Sequence, residues 1–202
     1  MKCLFKETVV GSLLGDAHLE KAKSGNCRLR FLQDIKQLEY LKFKHRLLKP
    51  FSLKISEVAR FDKRTQRSYK QCKFDTKTTE KWNSYHKLFY TGNEKKIDLN
   101  LQEIFRSKLT LLIWYLDDGH LRSDCHGFRF STDCFTKKEV FVLIKILKEI
   151  FGLQAKAHKT GSEKQSRYTV YIGSENGMSK KFNDMFKPFV SRRIPSMLYK
   201  FY

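Results

Sequence analysis

Carboxylates are scarce in this chain: 21 Asp and Glu stand against 41 Lys and Arg in 202 residues, for a formal net charge of +20. The excess is not a tail, since residues 1–100 hold 23 basic and 11 acidic side chains and residues 101–202 hold 18 and 10. A basic body of this kind calls for a polyanion, and DNA or RNA leads because neutralising phosphates releases counterions. Long apolar runs are also missing. No stretch approaches the roughly 18 uncharged apolar residues of a spanning helix, and none pairs a strongly basic helical face with a strongly apolar one, so no membrane partner is expected. The five cysteines, Cys3, Cys27, Cys72, Cys125 and Cys134, are odd in number and form no CxxC pair. That excludes a disulfide framework and a zinc ribbon and suits reduced intracellular thiols. Secretion is not expected, because the front run VVGSLLG is short, follows Lys6 and Glu7, and stops at Asp16 where a signal would need small neutral residues. No low-complexity tract occurs.

What is present is a folded composition, 41% hydrophobic and 14% aromatic, and an internal repetition. VVGSLLGDAHL and LLIWYLDDGHL are apolar runs that each stop at an aspartate and a small residue, Asp16-Ala17 and Asp118-Gly119, followed by His-Leu. The two aspartates are 102 residues apart. Carboxylates oppose the negative end of a helix dipole, so two of them at helix C-termini are poorly explained as solvated charge. The spacing predicts two similar halves, residues 1–100 and 101–202, each with a modest core completed by the other.

The elements repeat in the same order. In the first half, Thr8–Gly15 is helical; HLEKAK and CRLRFLQ form a hairpin across Ser24-Gly25-Asn26; KQLEYLKFKHRLL is an amphipathic helix stopped by Pro50. ISEVARF and RSYKQCKFDTKT make a second hairpin, and TTEKWNSYHKLFY a helix opened by a Thr cap. In the second half LTLLIWYLDDG is the helix, HLRS and GFRFSTD are strands, and TKKEVFVLIKILKEIFG is a helix closed by Gly152. QAKAHKT and QSRYTVYIG form a hairpin across Gly161-Ser162, and NGMSKKFNDMFKPFV is the last helix. Residues 93–106 join the halves. The fold class is α+β, two pseudo-symmetric αββαββα halves with antiparallel sheets.

Alternation along the strands marks one face for a polyanion. It presents Arg28 and Arg30; Arg67, Tyr69, Gln71 and Lys73; Arg129 and Ser131; Lys156 and His158; and Arg167, Thr169 and Tyr171. Such donors suit base edges in a major groove that admits a β-ribbon.

VVGSLLGDA (residues 9–17) and LLIWYLDDG (111–119) each resemble the nine-residue motif of the LAGLIDADG homing endonucleases, and the repeated element order resembles the branch carrying two motifs in one chain. The resemblance implies motif helices packed on a pseudo-twofold axis, with the sheets forming a DNA-binding saddle. Asp16 and Asp118 would hold Mg2+ or Mn2+ between the scissile phosphates, with backbone carbonyls of Gly15 and Asp117 as further ligands. It also implies a lysine returning toward each aspartate: Lys95, or its neighbour Lys96, and Lys200, acting on water or on phosphorane charge. Arg30 and Ser131 would position waters. His18 and His120 admit a metal or general-base role, or DNA contact and packing. One departure stands out: small residues are expected in the helix contact, and Gly11 and Gly15 comply, but Leu112, Ile113 and Asp117 do not. Large side chains set against glycines are therefore expected, with Trp114 and Tyr115 packed in the cores.

The function implied is a monomeric double-strand DNA endonuclease with a long asymmetric target, acting wherever its host DNA lies, in a bacterial cytoplasm or an organelle. A different class, an intron RNA maturase or a binder on a dead nuclease fold, stays open. Two carboxylates beside phosphate argue for the enzyme, because a pure binder gains nothing from their repulsion.

Overall fold

Residues 2–161 and 167–202 are described by a computed structural model. The first apolar run lies in helix α1 (Lys2–Leu14), which begins a turn and a half before the expected Thr8. Phe5 explains the extension: it is buried against Phe51 and Trp82, ring centroids 5.4 and 5.7 Å away, so the polar first turn is anchored by one aromatic. Strands β1 (His18–Lys21) and β2 (Cys27–Asp34), helix α2 (Leu38–Leu47), and strands β3 (Ser56–Asp62) and β4 (Arg67–Asp75) follow as expected. The next helix is shorter. Thr79 makes no side-chain cap; a 3-10 turn at Glu80–Trp82 leads into α3 (Asn83–Phe89), because Trp82 is fully buried and donates its indole N–H to Lys77 O at 2.9 Å.

The joint between halves contains an element with no sequence signature, a two-residue hairpin of β5 (Tyr90–Thr91) and β6 (Glu94–Lys95) turning at Gly92, whose φ is 60°. Then come α4 (Lys108–Asp118), β7 (Gly119–Leu121), β8 (Phe128–Phe130), α5 (Lys137–Phe151), β9 (Lys156–Thr160), β10 (Arg167–Ile172) and α6 (Met178–Arg193). β8 stops earlier than GFRFSTD suggests: Ser131 N–H donates to Asp118 O (2.9 Å) and the chain turns, with Phe135 N–H on Thr132 O. α5 has a reciprocal capping box between Thr136 and Glu139, and ends at a left-handed Gly152. In the β9–β10 turn Gly161 has φ 86°, and Ser162 lies outside the described residues.

Both four-stranded sheets are antiparallel and share one topology, β1-β2-β4-β3 and β7-β8-β10-β9. One face of each packs on helices. The buried residues form one continuous cluster running from Phe31 and Phe74 in the first half to Phe128, Phe130 and Phe182 in the second, with Trp114 and Tyr115 fully buried as expected. Among the described residues no helix is long and apolar enough to cross a membrane.

Candidate active site

Helices α1 and α4 lie side by side, and their contact is the asymmetric one expected. A methyl on Gly11 would sit 2.6 Å from Thr110 O and 2.9 Å from Ile113 Cβ; one on Gly15 would sit 2.4 Å from Asp117 Cβ. Thr110 Oγ1 also donates to Glu7 O at 3.2 Å. Glycine in α1 is therefore what lets Ile113 and Asp117 of α4 approach the opposite backbone. This pairing sets Asp16, in the turn after α1, and Asp118, the last residue of α4, at the same end of the helix pair.

The two carboxylates lie near enough for the charge of Asp16 to act on Asp118. Asp118 is pushed up to about 7, first by burial and then by the charges of Asp16 and Asp117, while Lys95 and Lys200 pull it down. Both lysines are held below the usual range by burial, against the opposing pull of the aspartates. Each ammonium reaches the carbonyl end of a motif helix: Lys95 Nζ donates to Gly15 O at 2.6 Å, and Lys200 Nζ to Leu116 O at 2.6 Å and Asp117 O at 3.4 Å. A cation at a helix C-terminus offsets the carboxylate that sits unfavourably there. Between the alternatives at the first lysine, Lys95 enters this site; Lys96 instead places its backbone N–H on Phe89 O. The carbonyls of Gly15 and Asp117, expected as ligands, thus already receive ammonium groups.

Asp117 departs further from expectation. Its side chain is fully buried and reaches into the first half, where Lys44 Nζ (2.7 Å) and Gln33 Nε2 (3.1 Å) both donate to Oδ1. Neither Lys44 nor Gln33 was evident as a site residue. The available signal was the spacing Leu41, Lys44, Leu48, which puts a lysine on the apolar face of α2.

A divalent cation fits the donor set in part. Asp16 and Asp118 offer hard carboxylate oxygens whose mutual repulsion a cation would relieve. Among the described residues no group of three or more His, Cys, Asp and Glu converges, so the remaining ligands would have to be phosphate and water oxygens. A cavity of about 670 Å³ lies at the other end of α1 and α4, lined by Lys6, Glu7, Arg106 and Ser107 among others, away from the two aspartates.

The sheet faces adjoin the site in register. His18 faces Arg30, which faces Asp75; His120 faces Arg129, then Tyr171, then Lys156. Arg129, not Ser131, is therefore the counterpart of Arg30, and Ser131 sits opposite Asp118. Both histidines are held below their ordinary range, chiefly by burial and then by the neighbouring Arg30 or Arg129, so they are neutral at pH 7. Arg28 and Arg30 are not loose: Glu20 meets both, at 2.6 and 3.2 Å, and Asp75 meets Arg30 at 3.3 Å. Lys156 pairs with Glu175 at 2.6 Å. Arg67 and Tyr69 lie on the part of β4 that is exposed on both faces, with Gln71 and Lys73 nearer the body. One expected face residue is withdrawn. Thr169 is only 4% exposed, with its hydroxyl unpartnered: His158, its register partner, and Tyr171, two residues along the same strand, stack their rings at 4.4 Å.

A sequence profile of the LAGLIDADG DNA endonuclease family matches residues 6–182. The chain belongs to this family. It is 35% identical over 200 residues to the cytochrome b mRNA maturase bI2 of Debaryomyces hansenii, covering 96% of this chain and 72% of that protein. It is 27% identical over 207 residues to the DNA endonuclease I-ChuI of Chlamydomonas applanata, covering 96% and 93%. The structure of the homing endonuclease I-WcaI bound to its DNA recognition sequence matches with a TM-score of 0.84 at 21% identity, over 99% of this chain and 86% of that one, a likeness of fold.

Proposed function

We propose that this chain, two halves meeting near residue 100, is a site-specific endonuclease that hydrolyses both strands of a long, asymmetric DNA target. The observation that carries the reading is the meeting of Asp16, Asp118, Lys95 and Lys200 at one end of the paired helices, beside two basic sheet faces. Asp16 and Asp118 would hold Mg2+ or Mn2+, which when bound polarises a phosphodiester and acidifies water. The protein's own groups supply the rest. Arg28, Arg30, Arg129 and the exposed end of the β3–β4 hairpin bind the duplex, while phosphate contacts fix its position. Lys95 and Lys200, already seated by helix carbonyls, hold positive charge where the phosphate gains negative charge. His18 and His120, neutral and in equivalent places, serve as contacts to the duplex.

The relative that is a maturase motivates a second reading, binding of intron RNA without cleavage of DNA. The test is incubation of wild type and Asp118→Asn with Mg2+ and the host's intron-insertion sequence. Cleavage by wild type and its loss in the variant is the expected result. Tight DNA binding with no nicking, together with promotion of splicing of the intron RNA, would overturn the nuclease reading in favour of the maturase.

A further inference from the structure

Among the described residues, the buried ion pair between Lys44 and Asp117 has no counterpart in the other half. Both side chains are wholly excluded from solvent. Lys44 comes from α2 of the first half, and its ammonium also lies over the rings of Tyr40 (4.4 Å) and Phe31 (5.3 Å). Asp117 comes from α4 of the second half. Two more contacts cross at the same place: Gln33 Nε2 to Asp117 Oδ1, and Tyr40 OH to Ile113 O at 3.1 Å. The corresponding helix of the second half, α5, buries only Val140, Leu143, Ile146, Leu147 and Phe151, all apolar. The first motif has Gly15 where the second has Asp117, so it offers nothing for such a pair.

Stability does not explain the pair. Burying two charges costs desolvation that their attraction only roughly repays, and well-packed apolar residues would do as well. Asp117 Oδ2 and Gln33 Oε1 are moreover buried without partners, so the cluster is not fully satisfied. Geometry is what it supplies. Close apolar packing against the glycines holds α4 near α1, but it discriminates between neighbouring registers less sharply than a charge with a defined partner does. A charge that finds its one partner at a single depth permits one register, the use for buried ionic groups that is best attested. Asp117 adjoins Asp118, so the register it fixes is that of the reacting carboxylate.

We propose that Lys44, Asp117 and Gln33 form an asymmetric latch that sets the docking of the first half on the second motif helix and thereby positions Asp118; they are positioning residues. The positioning role rests on the nuclease reading above, whereas the latch itself does not. Lys44→Met/Asp117→Gly removes both charges together, so no buried charge is orphaned although Gln33 Nε2 loses its acceptor, and it places the smallest residue in the contact. Thermal unfolding establishes that this variant folds, and Lys44→Met/Asp117→Asn, in which the amide can donate to Gln33 Oε1, is the second variant should it not.

In the free protein, amide residual dipolar couplings from both halves should fit one alignment tensor for wild type and need two for the variant. With target DNA and Mg2+, the variant should bind as tightly as wild type but cut the strand served by Asp118 ~10-fold or more slowly, so that nicked duplex accumulates. A single tensor in the folded variant overturns the latch. Two tensors with unchanged cutting of both strands overturn the positioning of Asp118. If wild type itself does not cut, the nuclease reading fails and takes the positioning role with it, and the dipolar couplings still decide the latch.

Discussion

Asp118 stores a cost that the free protein carries. Its folded-state pKa of about 7 is far above the ordinary 3.8, so the fold prefers the protonated carboxyl. Stability from this group is therefore fully present below about pH 4 and is lost as pH rises toward 7, a loss of roughly 2–4 kcal/mol given its partial solvent access. Asp118→Asn should remove that slope and raise the melting temperature of the metal-free protein above pH 7; urea titrations at pH 5 and pH 8 check it, and equal pH dependence in both proteins would refute it. Asp16 and Asp118 were legible as sequence because a carboxylate closing an apolar run is out of place, and Lys200 only through family likeness. For Lys44 the one local sign is its place on the apolar face of α2; its pairing depends on Asp117, 73 residues further along the chain, which no local pattern indicates. The same holds for Glu20 and Asp75, whose hold on Arg28 and Arg30 follows from strand register.

Helices and long strands are legible because their periodicity is local: α4 and α5 fall nearly where their apolar spacing puts them, and both sheets follow from hairpin signals. The misses are short or tertiary. A two-residue strand has no period, so the β5–β6 hairpin that delivers Lys95 was invisible, and α1 was lengthened by a single aromatic anchor. Helix pairing gives the sharpest test of packing. Gly15→Ala would put a methyl 2.4 Å from Asp117 Cβ, between two backbones that are fixed by their own cores. The cost should be ~1–3 kcal/mol, or more if α4 cannot yield. Chemical denaturation measures it, and a neutral result would mean that the helices separate freely.

As a body, the protein is a charge source with its carboxylates placed sparingly. A net charge of +20 spread over both halves should make DNA affinity fall steeply with salt, by ~10³-fold or more between about 50 and 200 mM if six or more phosphates are neutralised. Fluorescence anisotropy at several salt concentrations gives the slope; a shallow one would assign affinity to base edges instead of the backbone. The continuous core and the ion pair that crosses between the halves have a consequence for ancestry. Were the first half to pair with a copy of itself, glycine would face glycine and two lysines would be left buried without a counter-charge; two second halves would press aspartate on aspartate. Like pairings would thus leave like groups opposed, so the two pieces, severed at the joint and mixed, should reassemble as unlike partners in preference to symmetric pairs.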